Sequence, residues 1–175
     1  MRKTTTKFAA VLAGVLMAVA SPAITHAQSP QSSDSTPRLL ADGGIKNVKS
    51  GKFLQPTSAA NGAKVTQQPE SNAFIQRWEI YFDGDYLSFE NKESLLNLGI
   101  NRASTSAGAE AITAIPAGDH NQDWERIWGP NGDYFTLKNR NSGLCLGISG
   151  ASTATGAQAA QFRCDGTTNQ RWVHG

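Results

Sequence analysis

From Leu39 to the C-terminus the chain runs in short stretches where large apolar residues take alternate positions, broken by polar and glycine-rich segments. Trp78, Ile80 and Phe82 alternate up to Asp83-Gly84-Asp85-Tyr86, and Tyr86-Leu87-Ser88-Phe89 resumes with the same period of two. Trp124 and Trp128 precede Asn131-Gly132-Asp133-Tyr134, which leads into Tyr134-Phe135-Thr136-Leu137. Asp-Gly and Asn-Gly favour tight hairpin turns, so each set predicts two strands joined by a turn. Asp42-Gly43-Gly44 before Ile45 reads as the same turn again. Thr57 to Asn61, Ser104 to Gly108 and Ser149 to Gly156 are small and polar and suit loops. Residues 103–117 and 151–160 are alanine-rich, but Gly, Ser and Thr interrupt them and no apolar stripe recurs at helical spacing. The expectation is an all-β domain.

The strand pattern repeats three times. Gln76-Arg77-Trp78, Gln122-Asp123-Trp124 and Gln170-Arg171-Trp172 carry three of the four tryptophans, almost evenly spaced along the chain. A Gly-Ala pair stands at the same distance before each of these tryptophans, beginning at Gly62, Gly108 and Gly156. Asn47, Asn91 and Asn139 precede the tryptophans at a nearly constant spacing, each following closely on a large apolar residue, Ile45, Phe89 or Leu137. Markers in register three times define a threefold internal repeat. One such repeat cannot bury its tryptophan alone, whereas three around an axis share a core.

Residues 1–27 fall outside the repeat. Arg2, Lys3 and Lys7 flank the start of an apolar run from Phe8 to Ala20, followed by Pro22 and Thr25-His26-Ala27. That order is expected of a secretory signal peptide, and the run is short for a membrane span. Residues 28–40 are read as a flexible Ser-, Gln- and Pro-rich linker, since QSPQSSDSTPR buries too little to offset its ordering entropy. The remainder, from Leu39 to Gly175, is long enough for one domain with one core.

Charge changes with that division. The full chain is +2, but three of its 16 basic residues and none of its 14 acidic ones precede Gln28, so the remainder is −1. No positive stripe suited to phosphates is evident, so neither nucleic acid nor membrane insertion is expected of its partners.

With these triplets and strand signals, residues 41–175 resemble the ricin B-type lectin domain, a β-trefoil in which each repeat supplies four strands. The resemblance implies a six-stranded barrel capped by three hairpins. Trp78, Trp124 and Trp172 are expected in its core, with Gln76 and its counterparts holding the turn before each final strand. Cys145 and Cys164, both in the third repeat, read as a disulfide in an exported chain, at the place of the family's bridge within a repeat. Phe53 and Leu95 are read as the apolar counterparts of Cys145 in the other two repeats.

Sugar pockets of that family combine a stacking aromatic, an Asp after a Cys-Leu pair, and an Asn before Gln-x-Trp. Pyranose C–H groups pack on a π face, and hydroxyl pairs need oriented polar groups. In the third repeat Phe162 stands at the aromatic position, and Asn169 and Gln170 form the polar edge. Gly147 stands where the Asp is expected, and Asp165 is the nearby substitute. Phe162 reads equally as a stacking platform or as packing beside the disulfide. In the second repeat Asn121 and Gln122 are kept, Asn97 after Leu95-Leu96 is read at the Asp position, and Ala114 or Ile115 offers no platform. In the first, Gln55 replaces Asp, Gln67 and Gln68 replace the aromatic, and Ile75 replaces Asn. The third repeat therefore ranks first and the first repeat last.

Catalysis finds no nucleophile elbow, and Asp83 with Asp85 falls in a turn where carboxylates serve the backbone. His120 beside Asn121 lacks the nucleophile and orienting group of an acid–base site and reads as a loop histidine. No metal or other cofactor is expected. The sequence thus points to a secreted, non-enzymatic carbohydrate-binding protein for galactoside- or xylan-type glycan or polysaccharide, binding weakly through the third repeat. The alternative is a trefoil scaffold that binds another protein.

Overall fold

The computed structural model describes residues 38–175; residues 1–27, read as a signal peptide, and 28–37, read as part of a linker, lie outside the described residues. Thirteen strands and five short 3-10 turns follow one another, with no α-helix among the described residues. The strands are β1 (Arg38–Gly43), β2 (Ile45–Asn47), β3 (Phe53–Pro56), β4 (Val65–Gln68), β5 (Trp78–Asp83), β6 (Tyr86–Asn91) and β7 (Asn97–Ile100). They continue as β8 (Ala111–Ala114), β9 (Trp124–Trp128), β10 (Phe135–Asn139), β11 (Cys145–Ile148), β12 (Ala159–Phe162) and β13 (Trp172–His174). All pairings are antiparallel. β5–β6–β9–β10–β13–β2 run side by side as the barrel, while β3–β4, β7–β8 and β11–β12 are hairpins that cap it. This is a β-trefoil.

Alternation decides which side chains enter the core. On β6, Leu87, Phe89 and Asn91 are buried between half-exposed Tyr86, Ser88 and Glu90, and β10 repeats the pattern with Phe135, Leu137 and Asn139. Trp78, Trp124 and Trp172 are fully buried with Leu54, Leu98 and Leu146 from the capping hairpins. Each indole N–H donates to the carbonyl of that leucine, at 3.2, 3.0 and 3.1 Å respectively. A ring of this size contributes on the order of 5 kcal/mol of apolar burial, provided its N–H is paired.

The other repeat markers have equally local causes. Gly62, Gly108 and Gly156 have φ of 81, 86 and 80°, and each N–H donates across the threefold axis, to Thr113, Gln161 and Gln67. A side chain there would be strained. Asn47, Asn91 and Asn139 use Oδ1 to accept backbone N–H groups of the following loop, while Nδ2 donates to a carbonyl before a Gln-x-Trp triplet. Gln67 and Gln161, fully buried, use Nε2 to bind two carbonyls each of a neighbouring repeat's loop. These two had no distinguishing signal in the sequence.

Three expectations need correction. Asp42-Gly43-Gly44 makes no hairpin turn. Asp42 and Gly43 pair with Glu79 and Trp78, and Gly44 exchanges both backbone hydrogen bonds with Gly175, so the first repeat's barrel hairpin is assembled from β2 and β13, which lie far apart in sequence. Residues 38–40, placed in the linker by composition, belong to β1, where Leu39 pairs with Tyr81. Leu95 is not the counterpart of Cys145. It is an exposed loop residue with φ of 57°, at the place that Gly51 and Gly143 take with φ of 67 and 69°.

Candidate functional site

Strand register places the site residues on a common frame. Cys145 pairs with Phe162, Asn97 with Ala114 and Phe53 with Gln68, so these three pairs are equivalent. Two residues further along, Gly147, Gly99 and Gln55 occupy the position assigned to the sugar-binding Asp.

In the third repeat the predicted residues line one cleft. Phe162, Asp165, Asn169 and Gln170 face Ile148, Gly150, Ala151 and Thr167 around a volume of about 330 Å³. β12 presents Phe162, half exposed. The loop before β13 brings Asp165 and Asn169 to the other side. Gln170 builds the wall: Nε2 donates to the Arg163 carbonyl at 2.8 Å, and Oε1 accepts the Asp165 N–H at 3.2 Å. Its amide is therefore a clamp on the loop, the turn-holding role expected of Gln76 and its counterparts, and not the free polar edge also read for it. Thr167, which sequence reasoning passed over in a run of loop residues, has one hydroxyl proton between two acceptors. It lies 2.6 Å from Oδ1 of Asp165 and 2.7 Å from Oδ1 of Asn169. The Thr167 hydroxyl, and then the Thr167 N–H, hold the Asp165 carboxyl below its ordinary value, so a rim carboxylate stays charged at neutral pH.

Gly147 forms the floor. A Cβ added there would lie 3.0 Å from Gln170 Cγ, 3.3 Å from Asn169 Nδ2 and 3.3 Å from Phe162 Cδ2. Phe162 and Asn169 lean into the space an Asp side chain would need. Asn169 Nδ2 has no hydrogen-bond partner among the described residues and is turned to that space.

The second repeat has the same frame with different contents. Ala114 replaces Phe162, and Ala117 replaces Asp165, its N–H meeting Gln122 Oε1 as that of Asp165 meets Gln170. Asn121 stands over Gly99 as Asn169 stands over Gly147, but its Nδ2 is engaged, donating to the Ile100 carbonyl at 3.0 Å. Gln122 clamps the loop through the Ile115 carbonyl. A separate depression of about 380 Å³ is lined by Asn121 with Ala103, Gly118, Asp119, His120 and Asn141, without an aromatic platform beyond the exposed His120. Asn97 is not at the Asp position. It stands at the Cys145 position, and Nδ2 donates to Gln122 Oε1 at 2.9 Å. The Leu95-Leu96 pair had imitated Cys-Leu, whereas Leu98-Gly99 is the true counterpart of Leu146-Gly147. In the first repeat, Gln76 Nε2 donates to Gln55 Oε1 and to the Pro69 carbonyl, so the Gln55 side-chain oxygen is already engaged.

The sequence model of the ricin-type beta-trefoil lectin domain-like family matches residues 41–114 and 120–174. The chain belongs to this family. Among curated proteins no sequence matches it. Among solved structures, this ricin-type trefoil is similar to the designed 3-fold symmetric protein ThreeFoil, with TM-score 0.73 and 32% identity over 75% of this chain and 95% of that one. It is similar to 1,3Gal43A, an exo-beta-1,3-galactanase from Clostridium thermocellum, with TM-score 0.72 and 26% identity over 76% of this chain, but spans only 29% of the galactanase chain. The Macrolepiota procera ricin B-like lectin, solved with lactose, shares the fold with TM-score 0.68 and 18% identity over 76% of this chain and 93% of that one.

Within the ricin-type trefoil the disulfide Cys145–Cys164 ties β11 to the loop after β12, with Cα atoms 5.0 Å apart. It backs the cleft, since Cys164 precedes Asp165 and Cys145 is the strand partner of Phe162. Cutting it would free a loop of 19 residues. Such loops cost about 3 kcal/mol on the chain-entropy model.

Proposed function

We propose that the protein is a secreted, non-enzymatic lectin that binds glycan or polysaccharide through the third-repeat cleft. One observation carries the reading: Phe162, Asp165 and Asn169 converge on one open cleft of about 330 Å³, whereas in the second repeat Ala114 and Ala117 stand in place of the first two and the Asn121 amide is already bonded to the Ile100 carbonyl. An aromatic face, a charged acceptor and an amide with a free atom are what a pyranose needs: C–H groups for the ring, hydroxyls for the polar groups. Asp165 takes over the acceptor role that Gly147 vacates, from the opposite side of the cleft.

Galactoside- or xylan-type ligands fit the reading; the galactanase that shares 26% identity acts on a galactan, and the cleft is open at its rim as an extended polymer requires. A single shallow site of this kind binds in the millimolar range, about −4 kcal/mol, and gains useful strength from a polymeric ligand. Export follows from the signal-peptide pattern and agrees with the disulfide, which persists in oxidising compartments.

The test is binding of the protein to a panel of galactosides, xylan and related polysaccharides, with Phe162→Ala alongside. Binding that falls at least tenfold in a folded variant supports the site. Retained binding removes it. A second reading, a trefoil that binds a protein, draws on Gln55, Gly99 and Gly147, none of which supplies the usual carboxylate. It predicts partner binding that persists in excess free sugar.

A further inference from the structure

A second cleft, outside the family's sugar pockets, opens on the second repeat. Tyr81, Ser88, Glu90, Asn97 and Pro116 enclose about 270 Å³. The threefold frame shows why the space is there. At the equivalent place in the third repeat, Cys145 and Cys164 stand where the second repeat has Asn97 and Pro116, and their disulfide fills it. In the first repeat the ring of Phe53, at the Asn97 position, lies over Gly44 and Gly175, so closely that a Cβ on either would approach within 2.6 Å of it. Only the second repeat leaves the place unfilled, and it lines it with Tyr81 and Ser88, directly paired across β5 and β6.

The charges differ as well. In the third repeat Lys138 pairs with Glu125 across β9 and β10, with Nζ 3.3 Å from the carboxylate. In the first, Lys46 stands at the Lys138 position, its Nζ over the Phe53 ring. In the second repeat that lysine is replaced by Glu90, which faces Glu79 directly across the strands. Like charges in that relation repel. Lys92 reaches Glu79 at 3.5 Å but is shared with Asp42, and Glu90 has no cation partner among the described residues. Burial, and then Glu79, raise the Glu90 carboxyl above its ordinary value. Asn97, 7% exposed, gives Nδ2 to Gln122, while its Oδ1 accepts no hydrogen bond among the described residues. Tyr81 donates its hydroxyl to Glu79 at 2.9 Å, which fixes the ring as a wall. The cleft therefore offers two flat apolar walls, Tyr81 and Pro116, around acceptors that lack a cation.

We propose that this cleft binds an amino sugar, with its ammonium group against Glu90 and its ring between Tyr81 and Pro116. The ammonium donates to Glu90 and to Asn97 Oδ1, and the ring hydroxyls meet Ser88. The site shares no residue with the third-repeat cleft.

The experiment is calorimetric titration of the protein with a glucosamine trimer, the N-acetylglucosamine trimer and a trilysine peptide. The expected result is saturable binding of the glucosamine trimer alone. It weakens roughly tenfold or more in Glu90→Gln, as loss of a charge-assisted hydrogen bond implies. Asn97→Cys combined with Pro116→Cys, which restores the filler of the third repeat, abolishes it. Binding of a neutral polysaccharide through the third-repeat cleft is unchanged in Glu90→Gln, so failure here and failure of the third-repeat cleft are told apart. Absence of binding to the folded protein, or binding retained in Glu90→Gln, overturns the proposal. Equal binding of the acetylated trimer overturns the ammonium contact, and equal binding of trilysine overturns the assignment to a sugar.

Discussion

Between the second and third repeats the strand registers agree residue for residue, yet the side chains above the floor glycine do not. Phe162 and Asp165 in one are Ala114 and Ala117 in the other, and Asn121 Nδ2 is bonded to the Ile100 carbonyl where Asn169 Nδ2 has no partner among the described residues. The disulfide of the third repeat faces Asn97 and Pro116 of the second. The tryptophans, leucines and loop-clamping glutamines are common to both. Inward positions answer to a shared core and so stay alike, whereas the outward rim is free to diverge. The third repeat keeps a braced cleft at the family's position, and the second opens a different one a few residues away.

The sharpest test of a shared core is the pair Trp124→Ala and Trp172→Ala. Both rings are fully buried and both indole N–H groups are paired, so each variant should lose about 3–5 kcal/mol in urea unfolding, by similar amounts. A loss confined to one of them would mean that the repeats contribute unequally. Removing the bridge with Cys145→Ala and Cys164→Ala should cost about 3 kcal/mol and bring the third repeat nearer to the second. Next comes a transfer: Ala114→Phe with Ala117→Asp gives the second repeat the rim of the third. If the rim residues suffice, the binding stoichiometry for a glycan recognised by the third repeat should rise from one to two.

Smaller effects concern positions where the second repeat departs from its neighbours. Leu95 holds φ of 57° where the other repeats have glycine, and it is 60% exposed. Relief of that strain, less the added freedom of the unfolded chain, should make Leu95→Gly more stable by about 0.5 kcal/mol. Glu90 gives the smallest change. Its folded carboxyl holds a proton more tightly than the unfolded one, through burial and then Glu79, so its ionisation destabilises the fold as pH rises through the carboxylate range. Glu90→Gln should therefore raise the melting temperature slightly at neutral pH. The gain should vanish in acid, where Glu90 is already neutral.

Much of the site was legible because its residues are fixed to the triplets. Phe162, Asp165, Asn169 and Gln170 fall close together in the chain, so a local pattern locates all four. Asn97 was misplaced because a loop intervenes: Leu95-Leu96 resembles the expected pair, and only the pairing of Asn97 with Ala114 reveals the shift of two residues. The Tyr81 cleft was not legible at all. It joins residues from β5, β6, β7 and the loop after β8, and it exists because Asn97 is smaller than Phe53 and unbridged, unlike Cys145.

The sequence by itself determined the threefold repeat, the all-β class, the buried tryptophans and the cysteine pair, because period and spacing are properties of the chain. Tertiary structure alone decided that Gly44 and Gly175 close the first hairpin, that Gln67 and Gln161 bind across repeats, and which amide groups find partners among the described residues. Those outcomes depend on contacts between segments far apart in sequence. Composition states which groups can form hydrogen bonds, but packing decides which of them already have partners.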